Sequence, residues 1–310
     1  MPLNVLFAAR HDRWESYETP LRNAFSEAGL EVNLAQDIPP AKVDYIIYAP
    51  NSELRDFRPF TRARAVLNLW AGVENIVDNP TLDIPLARMV DEGLTQGMVE
   101  WVTGHVLRHH LGMDTHILGL AGEWVRDIPP LASERPVTVL GLGELGRACA
   151  RSLARIGFNV TGWSRSAHGV DGIRCLSGPE TLAAALNEAE ICVLLLPLTP
   201  ETENLMDAAR LAVLPRGAVV LNPGRGPLVD DDALLAALDA GQIGHATLDV
   251  FRQEPLPPEH PFWAHDRITV TPHIASETRP SSSARVIAEN IRRGEAGEPF
   301  LHLVDRGLGY

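Results

Sequence analysis

The chain has 310 residues, a hydrophobic content of 45% and a formal net charge of −13. This length allows two domains with separate cores, and the composition is that of an ordinary globular protein. The negative charge argues against sequence-independent binding to nucleic acid, which requires a basic surface. No apolar run is long enough to span a bilayer, and residues 1–7 lack the pattern of a signal peptide. The spacing of Cys149, Cys175 and Cys192 favours free thiols over disulfides or a metal site, so we expect a cytoplasmic protein.

The first third of the chain alternates short apolar strands with helical segments. We predict a helix over residues 17–28 and five strands, the last at a sheet edge because Pro85 lacks a ladder donor: residues 5–9, 31–34, 44–48, 65–69 and 84–88. Such alternation predicts a mostly parallel sheet covered on both faces, with ligands outside the carboxyl ends of its strands. Tyr48 and the turn Trp70-Ala71-Gly72-Val73 lie at such ends and are candidate substrate-pocket residues.

A long helix predicted over residues 96–118 leads from this lobe into a second one. We predict six strands in the second lobe: residues 137–140, 160–163, 191–196, 218–221, 245–248 and 268–270. Six strands are the number expected for two mononucleotide-binding halves. A closing helix over residues 278–293 follows the last strand, and we expect it to return to the first lobe.

The strand at residues 137–140 runs directly into a Gly-x-Gly-x-x-Gly motif at Gly141, Gly143 and Gly146, and a helix is predicted from Glu144 to Ile156. In a dinucleotide fingerprint, the first glycine makes the turn and the second lets the backbone approach a pyrophosphate. The third lets the helix pack on the strand. The N–H groups at the start of the helix, where Glu144 and Leu145 lie, then face the phosphates.

The turn after the second strand of this lobe, Ser164-Arg165-Ser166, indicates which dinucleotide binds. Enzymes that prefer NAD usually place an acid here to bind the ribose 2′-OH, and residues 163–167 contain none. Arg165 instead offers a charged fork of donors that suits a 2′-phosphate, and the two serines add hydroxyl donors. An ordinary solvated turn is the alternative. We predict that NADP is preferred and that NAD remains possible.

Three polar residues follow successive strands of the second lobe: Arg225, Glu254 and His273. Reduction of a 2-oxo acid requires an anchor for the carboxylate, polarisation of the carbonyl and a proton for its oxygen. Arg225 can provide the first two by charge-assisted hydrogen bonds, and His273 can exchange the proton. Glu254 can orient the imidazole and favour its protonated form. Separately they could be a loop cation, a surface acid and a core histidine, but their joint placement favours catalysis.

Five sequence blocks carry a resemblance to the D-isomer-specific 2-hydroxyacid dehydrogenases: residues 139–146, 196–202, 222–226, 248–251 and 271–275. Within that family, residues 96–101, 163–166 and 304–310 look like the glyoxylate/hydroxypyruvate reductase A group. Two departures from the family pattern are Trp70, where a smaller residue is usual, and Glu74, where Asp is more common. A tryptophan there could reshape the substrate pocket.

The resemblance implies two doubly wound α/β parallel-sheet lobes, a flavodoxin-like substrate lobe and a Rossmann cofactor lobe, with the active site in the cleft between them. We place the substrate domain at residues 1–97 plus 277–310 and the NAD(P)-binding domain at 98–276. Arg225, Glu254 and His273 match the family's catalytic set, and Trp70-Ala71-Gly72-Val73 looks like the loop whose backbone amides hold the substrate carboxylate. Further residues match positions that line the cofactor cleft: Pro197, Leu198, Thr202, Asn222, Pro223, Gly224, Asp249 and Ala275.

The family also implies a homodimer, for which Trp124 could be an aromatic anchor or, alternatively, an ordinary core residue. We expect NADPH-dependent reduction of glyoxylate, hydroxypyruvate or similar short 2-oxo acids to D-2-hydroxy acids, with no metal, nucleic acid or membrane involved. A formate or phosphite dehydrogenase on the same scaffold is one alternative, although formate-acting relatives have glutamine at the position of Glu254. A dinucleotide-sensing protein like the co-repressors that share this fold is the other.

Overall fold

The computed structural model describes residues 2–309, whose contacts divide the chain into two compact units. The first unit comprises Met1–Leu94 with Glu277–Tyr310, and the second comprises Thr95–Ser276. The domain boundary that we place after residue 97 stays a prediction.

In chain order, residues 2–309 contain twelve strands: β1 Leu3–Ala8, β2 Val32–Ala35, β3 Tyr45–Tyr48, β4 Ala65–Asn68, β5 Leu86–Ala87, β6 Pro136–Leu140, β7 Asn159–Ser164, β8 Arg174–Ser177, β9 Ile191–Leu194, β10 Ala218–Asn222, β11 Ile243–Leu248 and β12 Ile268–Val270. The α-helices of the same residues are α1 His11–Glu27, α2 Glu92–His110, α3 Met113–Ile117, α4 Glu144–Ile156, α5 Leu182–Asn187, α6 Ala208–Val213, α7 Asp231–Asp239 and α8 Pro280–Ala296.

The first unit contains a parallel sheet in the order β2-β1-β3-β4-β5. This is the flavodoxin-like order, as expected, and β5 lies at an edge. Every residue of β3 and β4 is buried, because a parallel sheet is covered on both faces. On one face the core includes side chains of α1 and α8, so the closing helix does return to the first unit.

The second unit contains a parallel sheet in the order β12-β11-β10-β9-β6-β7-β8. Counted from β6, this is the Rossmann order extended by one strand, with the order reversing between β6 and β9. The six predicted strands are present, but the prediction of six was wrong for the described residues because β8 adds a seventh. The residues of β8 are exposed or half-buried, so this edge strand lacks the apolar run that marks its neighbours.

Two predicted helices differ from the structure. The helix α1 begins at His11 rather than Tyr17, and apart from the half-buried Trp14 its first turns are polar and exposed. The single helix predicted over residues 96–118 is two helices, α2 and α3, separated at Gly112. Gly112 has φ +61°, a left-handed conformation that glycine adopts without the steric cost other residues incur.

Three further observations bear on what the molecule can bind. Within residues 2–309, no helix combines the length and apolar character needed to cross a membrane. The same residues contain no group of three His, Cys, Asp or Glu side chains arranged to hold a metal ion. The three cysteines are free, and burial raises the pKa of Cys149 and Cys192 to about 12, so these two thiols stay protonated.

Candidate active site

The three predicted catalytic side chains lie on loops that follow β10, β11 and β12 of the second unit. His273 Nδ1 and Glu254 Oε2 are 2.6 Å apart, the distance of a strong charge-assisted hydrogen bond. Glu254 Oε1 accepts a hydrogen bond of 2.9 Å from the backbone N–H of Phe251, which fixes the carboxylate. The positive charge of Arg225 acts on both Glu254 and His273. The three side chains therefore lie close enough for their charges to interact.

The contact between Glu254 and His273 shifts both pKa values. The hydrogen bond from Glu254 raises the pKa of His273 above its ordinary value, and this effect outweighs burial. Burial acts to raise the pKa of Glu254, but the bonds from His273 and Phe251 with the nearby positive charges lower it overall. The pair is therefore biased toward a carboxylate next to an imidazolium, which can donate a proton.

The loop that carries His273 is held by Asp249, which is fully buried at the end of β11. Asp249 Oδ1 accepts hydrogen bonds from the Thr271 hydroxyl at 2.5 Å and the Ile274 N–H at 2.9 Å. Its Oδ2 accepts a bond of 2.9 Å from the N–H of Ala275. His273 itself has φ +53°, a strained conformation for a residue with a side chain. Asp249 and Ala275 thus shape the loop; their contact with a cofactor stays a prediction.

Arg225 is positioned by Asn222, the buried last residue of β10. Asn222 Nδ2 donates to the carbonyl of Arg225 at 2.9 Å, and Asn222 Oδ1 accepts from the N–H of Gly224 at 3.1 Å. Pro223 and Gly224 are buried within this turn. A Cβ at Gly226 would lie 2.1 Å from the carbonyl carbon of Phe251, so a glycine is required where this loop meets the Glu254 loop.

The fingerprint lies where the sequence places it, with α4 spanning Glu144–Ile156 as predicted. Gly141 has φ +105°, and a Cβ there would be 2.5 Å from the Leu195 carbonyl oxygen. A Cβ at Gly146 would be 1.7 Å from the Gly141 carbonyl oxygen, so the turn closes too tightly for any side chain. A Cβ at Gly143 would meet no heavy atom within 4 Å. Only the second glycine therefore leaves open space, as a site for a pyrophosphate requires.

The turn predicted to select the cofactor follows β7 directly. Ser164 is buried and its hydroxyl donates to the carbonyl of Ser166 at 2.7 Å, which shapes the turn. Arg165 and Ser166 are exposed. The pKa of Glu201 is lowered, first by a hydrogen bond from Thr199 and to a smaller extent by the charge of Arg165. Arg165 therefore lies close enough to Glu201 for the two charges to interact.

The loop after β9 holds three further predicted cofactor residues, Pro197, Leu198 and Thr202. Pro197 and Leu198 are half-buried. The hydroxyl of Thr202 donates to the Pro197 carbonyl at 2.7 Å and accepts from the Thr199 N–H at 2.8 Å. Thr202 therefore folds this loop back on itself, near the point where the strand order of the sheet reverses.

The predicted substrate residues of the first unit lie in two kinds of environment. Trp70, Ala71 and Gly72 are exposed or half-buried after β4, whereas Val73 is buried beneath them. Tyr48 is buried, with its ring against Phe57 at 5.4 Å between centroids. Its backbone carbonyl accepts from the N–H of Leu69, but its side chain belongs to the core of the unit. The structure therefore places Tyr48 behind the loop, while the other four form it.

Sequence reasoning missed Asn68, the last residue of β4. This buried asparagine donates from Nδ2 to the carbonyls of Trp70 at 2.9 Å and Gly72 at 3.0 Å. A polar side chain within the strand Ala65–Asn68 was the available signal, because both faces of a parallel strand are covered and a buried amide needs a partner.

Trp124 lies in a segment without regular structure, and its exposed fraction is 94%. The alternative that it is a core residue is therefore wrong for this chain. Other large apolar side chains of the same part of the second unit are also exposed: Ile117, Leu118, Ile128 and Leu131. An apolar stretch of this kind is typical of a surface that contacts another protein.

Comparison with known proteins gives a family model and full-length relatives. The model described as D-isomer specific 2-hydroxyacid dehydrogenase, NAD binding domain, matches residues 105–275. A glyoxylate/hydroxypyruvate reductase A from Serratia proteamaculans is 37% identical, with 99% of this chain and all of the relative covered. A protein of the same name from Yersinia enterocolitica is 34% identical over the same shares.

Solved structures agree with this assignment. A D-isomer specific 2-hydroxyacid dehydrogenase from Xanthobacter autotrophicus Py2, in complex with NADPH and MES, is 42% identical with a TM-score of 0.93 and full coverage of both chains. An NADPH-dependent glyoxylate/hydroxypyruvate reductase from Sinorhizobium meliloti, in complex with NADP and sulfate, is 36% identical with a TM-score of 0.84. That match covers all of this chain and 99% of the relative.

Proposed function

The chain belongs to the D-isomer specific 2-hydroxyacid dehydrogenases, an oxidoreductase family, and on this premise we propose that it reduces glyoxylate, hydroxypyruvate or similar short 2-oxo acids with NADPH. The product would be the achiral glycolate from glyoxylate and a D-2-hydroxy acid from the other substrates. The observation that carries the proposal is the 2.6 Å contact between His273 and Glu254, which keeps a proton donor ready beside Arg225. Full-length relatives named as reductases of these two substrates support the choice of substrate.

NADPH fits the second unit on two observations. Gly143 leaves open space at the start of α4, where the N–H groups of Glu144 and Leu145 can bind a pyrophosphate. Arg165 lies exposed after β7 in a turn without an acid, so its guanidinium can bind a 2′-phosphate beside Ser164 and Ser166. The chemistry that NADPH supplies when bound is hydride transfer to C2 of the substrate. Relatives solved with NADPH or NADP support this cofactor, and NAD remains a second candidate.

Side chains of the second unit would bind the substrate and transfer the proton. His273, kept protonated by Glu254, donates its proton to the carbonyl oxygen as C2 is reduced. Arg225 binds the substrate carboxylate and polarises the carbonyl by charge-assisted hydrogen bonds. In the reverse direction a neutral His273 would remove the proton from the hydroxyl group, and Glu254 would stabilise the imidazolium that forms.

The loop Trp70-Ala71-Gly72-Val73 would bind the substrate carboxylate through backbone N–H groups. Within residues 2–309, the N–H groups of Ala71, Gly72 and Val73 donate no hydrogen bond to another protein atom, so these donors are available. Trp70, with an exposed fraction of 39%, would limit the size of the substrate side chain.

Two further aspects belong to the proposal. The exposed apolar stretch around Trp124 favours a homodimer in which a second copy covers it. The free cysteines favour the cytoplasm, where thiols stay reduced.

Steady-state kinetics with purified protein test the function. The assay offers NADPH or NADH together with glyoxylate, hydroxypyruvate, pyruvate or 2-oxobutyrate. We expect oxidation of NADPH with the highest kcat/KM for glyoxylate or hydroxypyruvate. NADPH binding without turnover of any acid would refute the proposal and favour a dinucleotide-sensing protein instead. Turnover with formate or phosphite and NADP would identify the other alternative.

A further inference from the structure

The carboxyl end of β4 carries one polar side chain that is buried and points at the backbone of the following loop. Asn68 is 1% exposed, and both hydrogens of its Nδ2 are used, one by the Trp70 carbonyl and one by the Gly72 carbonyl. The side-chain amide thus binds two alternate peptide groups of the loop that the proposed function assigns to the substrate.

These two bonds set the direction of the loop's donors. In a trans peptide unit the C=O and the N–H point in opposite directions. Because the carbonyls of Trp70 and Gly72 point toward Asn68, the N–H groups of the same units, those of Ala71 and Val73, point away from it. Both belong to the available donors of the loop. Asn68 therefore turns two N–H groups toward the side of the loop opposite its own amide, where an anion could accept from both.

The rest of the loop is held in place by other bonds. The Leu69 N–H donates to the Tyr48 carbonyl at 2.7 Å, and the Thr278 hydroxyl donates to the Leu69 carbonyl at 2.9 Å. The Met89 N–H donates to the Trp70 carbonyl at 3.0 Å. Of these bonds, none reaches the Gly72 carbonyl, so Asn68 determines how that peptide unit is turned.

The other end of the Asn68 amide suggests why the residue is an asparagine. Its Oδ1 is buried and has no hydrogen-bond partner within residues 2–309. Burying an unpaired amide oxygen costs free energy, which an apolar side chain would avoid. We therefore expect the benefit of the two hydrogen bonds donated by Nδ2 to exceed the cost of the unpaired Oδ1.

We infer that Asn68 is a positioning residue for substrate recognition, which acts by presenting the backbone N–H groups of Ala71 and Val73 to the carboxylate of the substrate. The inference rests on the proposed function. The hydrogen bonds of the Asn68 side chain go to the loop, and Asn68 does not take part in proton transfer. Its removal should weaken substrate binding and leave cofactor binding unchanged.

The test compares Asn68→Ala and Asn68→Asp with a matched control, Asn290→Ala. Asn290 is a buried asparagine of the same unit, 2% exposed, whose side chain bonds both backbone groups of Leu301 away from the loop. Measurements are kcat and KM for the 2-oxo acid that wild type uses best, the Kd for NADPH, and the melting temperature.

For Asn68→Ala we expect KM to rise about tenfold, with a smaller change in kcat and an unchanged Kd for NADPH. Asn68→Asp should raise KM further at neutral pH, because a carboxylate would face two carbonyl oxygens. Lowering the pH should reduce the ratio of the KM of Asn68→Asp to that of Asn68→Ala, since a protonated aspartate can again donate a hydrogen bond to a loop carbonyl. Asn290→Ala should lower the melting temperature but keep the KM of wild type.

The outcomes separate the two proposals. If wild type reduces no 2-oxo acid, the proposed function fails and the role of Asn68 fails with it. If wild type is active and the KM of Asn68→Ala matches that of Asn290→Ala, only the role of Asn68 is refuted. A rise in KM with an equal rise in the Kd for NADPH would also refute it, since a general loss of structure explains both. If Asn68→Ala does not fold, the same comparison is made with Asn68→Asp across the pH range.

Discussion

A buried asparagine ends β4 in the first unit and another ends β10 in the second, and both side chains bind the loop that follows. Asn222 is satisfied at both ends, by the Arg225 carbonyl and the Gly224 N–H, whereas Asn68 uses only its two donors. After Asn222 the chain presents a charged side chain, Arg225. After Asn68 it presents backbone N–H groups.

In the proposed function, the loops after Asn222 and Asn68 would make two different kinds of contribution to the reaction. The second unit provides groups that change protonation or carry charge, so its variants should change rates, pH profiles and cofactor preference. The first unit provides fixed dipoles, so its variants should change KM above all.

The largest expected effect is that of His273→Ala, which removes the proposed proton donor. We expect kcat to fall by about 10² to 10⁴, the usual contribution of a general acid, with no change in the Kd for NADPH. The exposed His168 of the same unit allows a matched control, and His168→Ala should keep the activity of wild type. Full activity of His273→Ala would show that His273 is not the proton donor.

Arg165→Asp tests whether cofactor preference also depends on a charged side chain of the second unit. Loss of the guanidinium removes a charge-assisted contact with the 2′-phosphate, so kcat/KM for NADPH should fall about ten- to a hundredfold. The value for NADH should change less. Arg151→Asp, at an exposed position on α4, serves as the control for the charge change. A variant that still prefers NADPH as strongly as wild type would show that the phosphate binds elsewhere.

Glu254→Gln tests, through the pH dependence of kcat/KM, whether Glu254 controls the protonation of His273. Glu254 raises the pKa of His273, so the glutamine variant should lower it. Reduction needs protonated His273 and slows as pH rises through that pKa, so the alkaline limb of the kcat/KM profile should move to lower pH. At pH values above the shifted limb the loss should be about tenfold. Glu259→Gln, an exposed acid nearby, should leave the profile in place; an unshifted limb in Glu254→Gln would contradict the coupling.

The smallest effect concerns stability of the second unit rather than catalysis. Burial lowers the pKa of His109 to about 3 and that of His245 to about 4, from an ordinary value of 6.5. Below pH 6.5 the unfolded chain binds these protons while the folded chain does not, so stability falls with falling pH. The loss is up to about 1.4 kcal/mol per pH unit for each histidine.

His109→Gln should reduce this loss, since a neutral amide can still bond the Thr247 hydroxyl that lies 2.9 Å from His109 Nε2. Urea unfolding at pH 7.5 and 5.5 measures the difference between the two pH values. The exposed His168→Gln variant should show the same acid sensitivity as wild type. Equal sensitivity in His109→Gln would mean that this imidazole does not stay neutral in the folded chain.

The sequence predicted the regular parts of both units because their patterns are local. The helix α4 begins and ends where the fingerprint predicts. Both sheets have the strand orders that the family resemblance implied, with one strand added. The strand β8 was missed because its half-exposed residues, Arg174–Ser177, have no apolar run. The break between α2 and α3 was missed because a single glycine within a helical pattern does not reveal its φ.

The candidate site was predictable where side chains act and not where the backbone acts. Arg225, Glu254 and His273 are recognisable by residue type and by their position after strands. The loop at residues 70–73 was indicated by its place after a strand and by resemblance, since backbone N–H groups have no residue type. Asn68 went unrecognised because its two bonds join residues of one turn, whose geometry the sequence does not contain.

The handedness of the product is a direct test of the proposed D-specific reduction. Purified protein is incubated with NADPH and hydroxypyruvate, and the glycerate formed is resolved on a chiral column. We expect NADPH to be consumed and the product to be D-glycerate. L-glycerate as the product, or no consumption of NADPH, would contradict it.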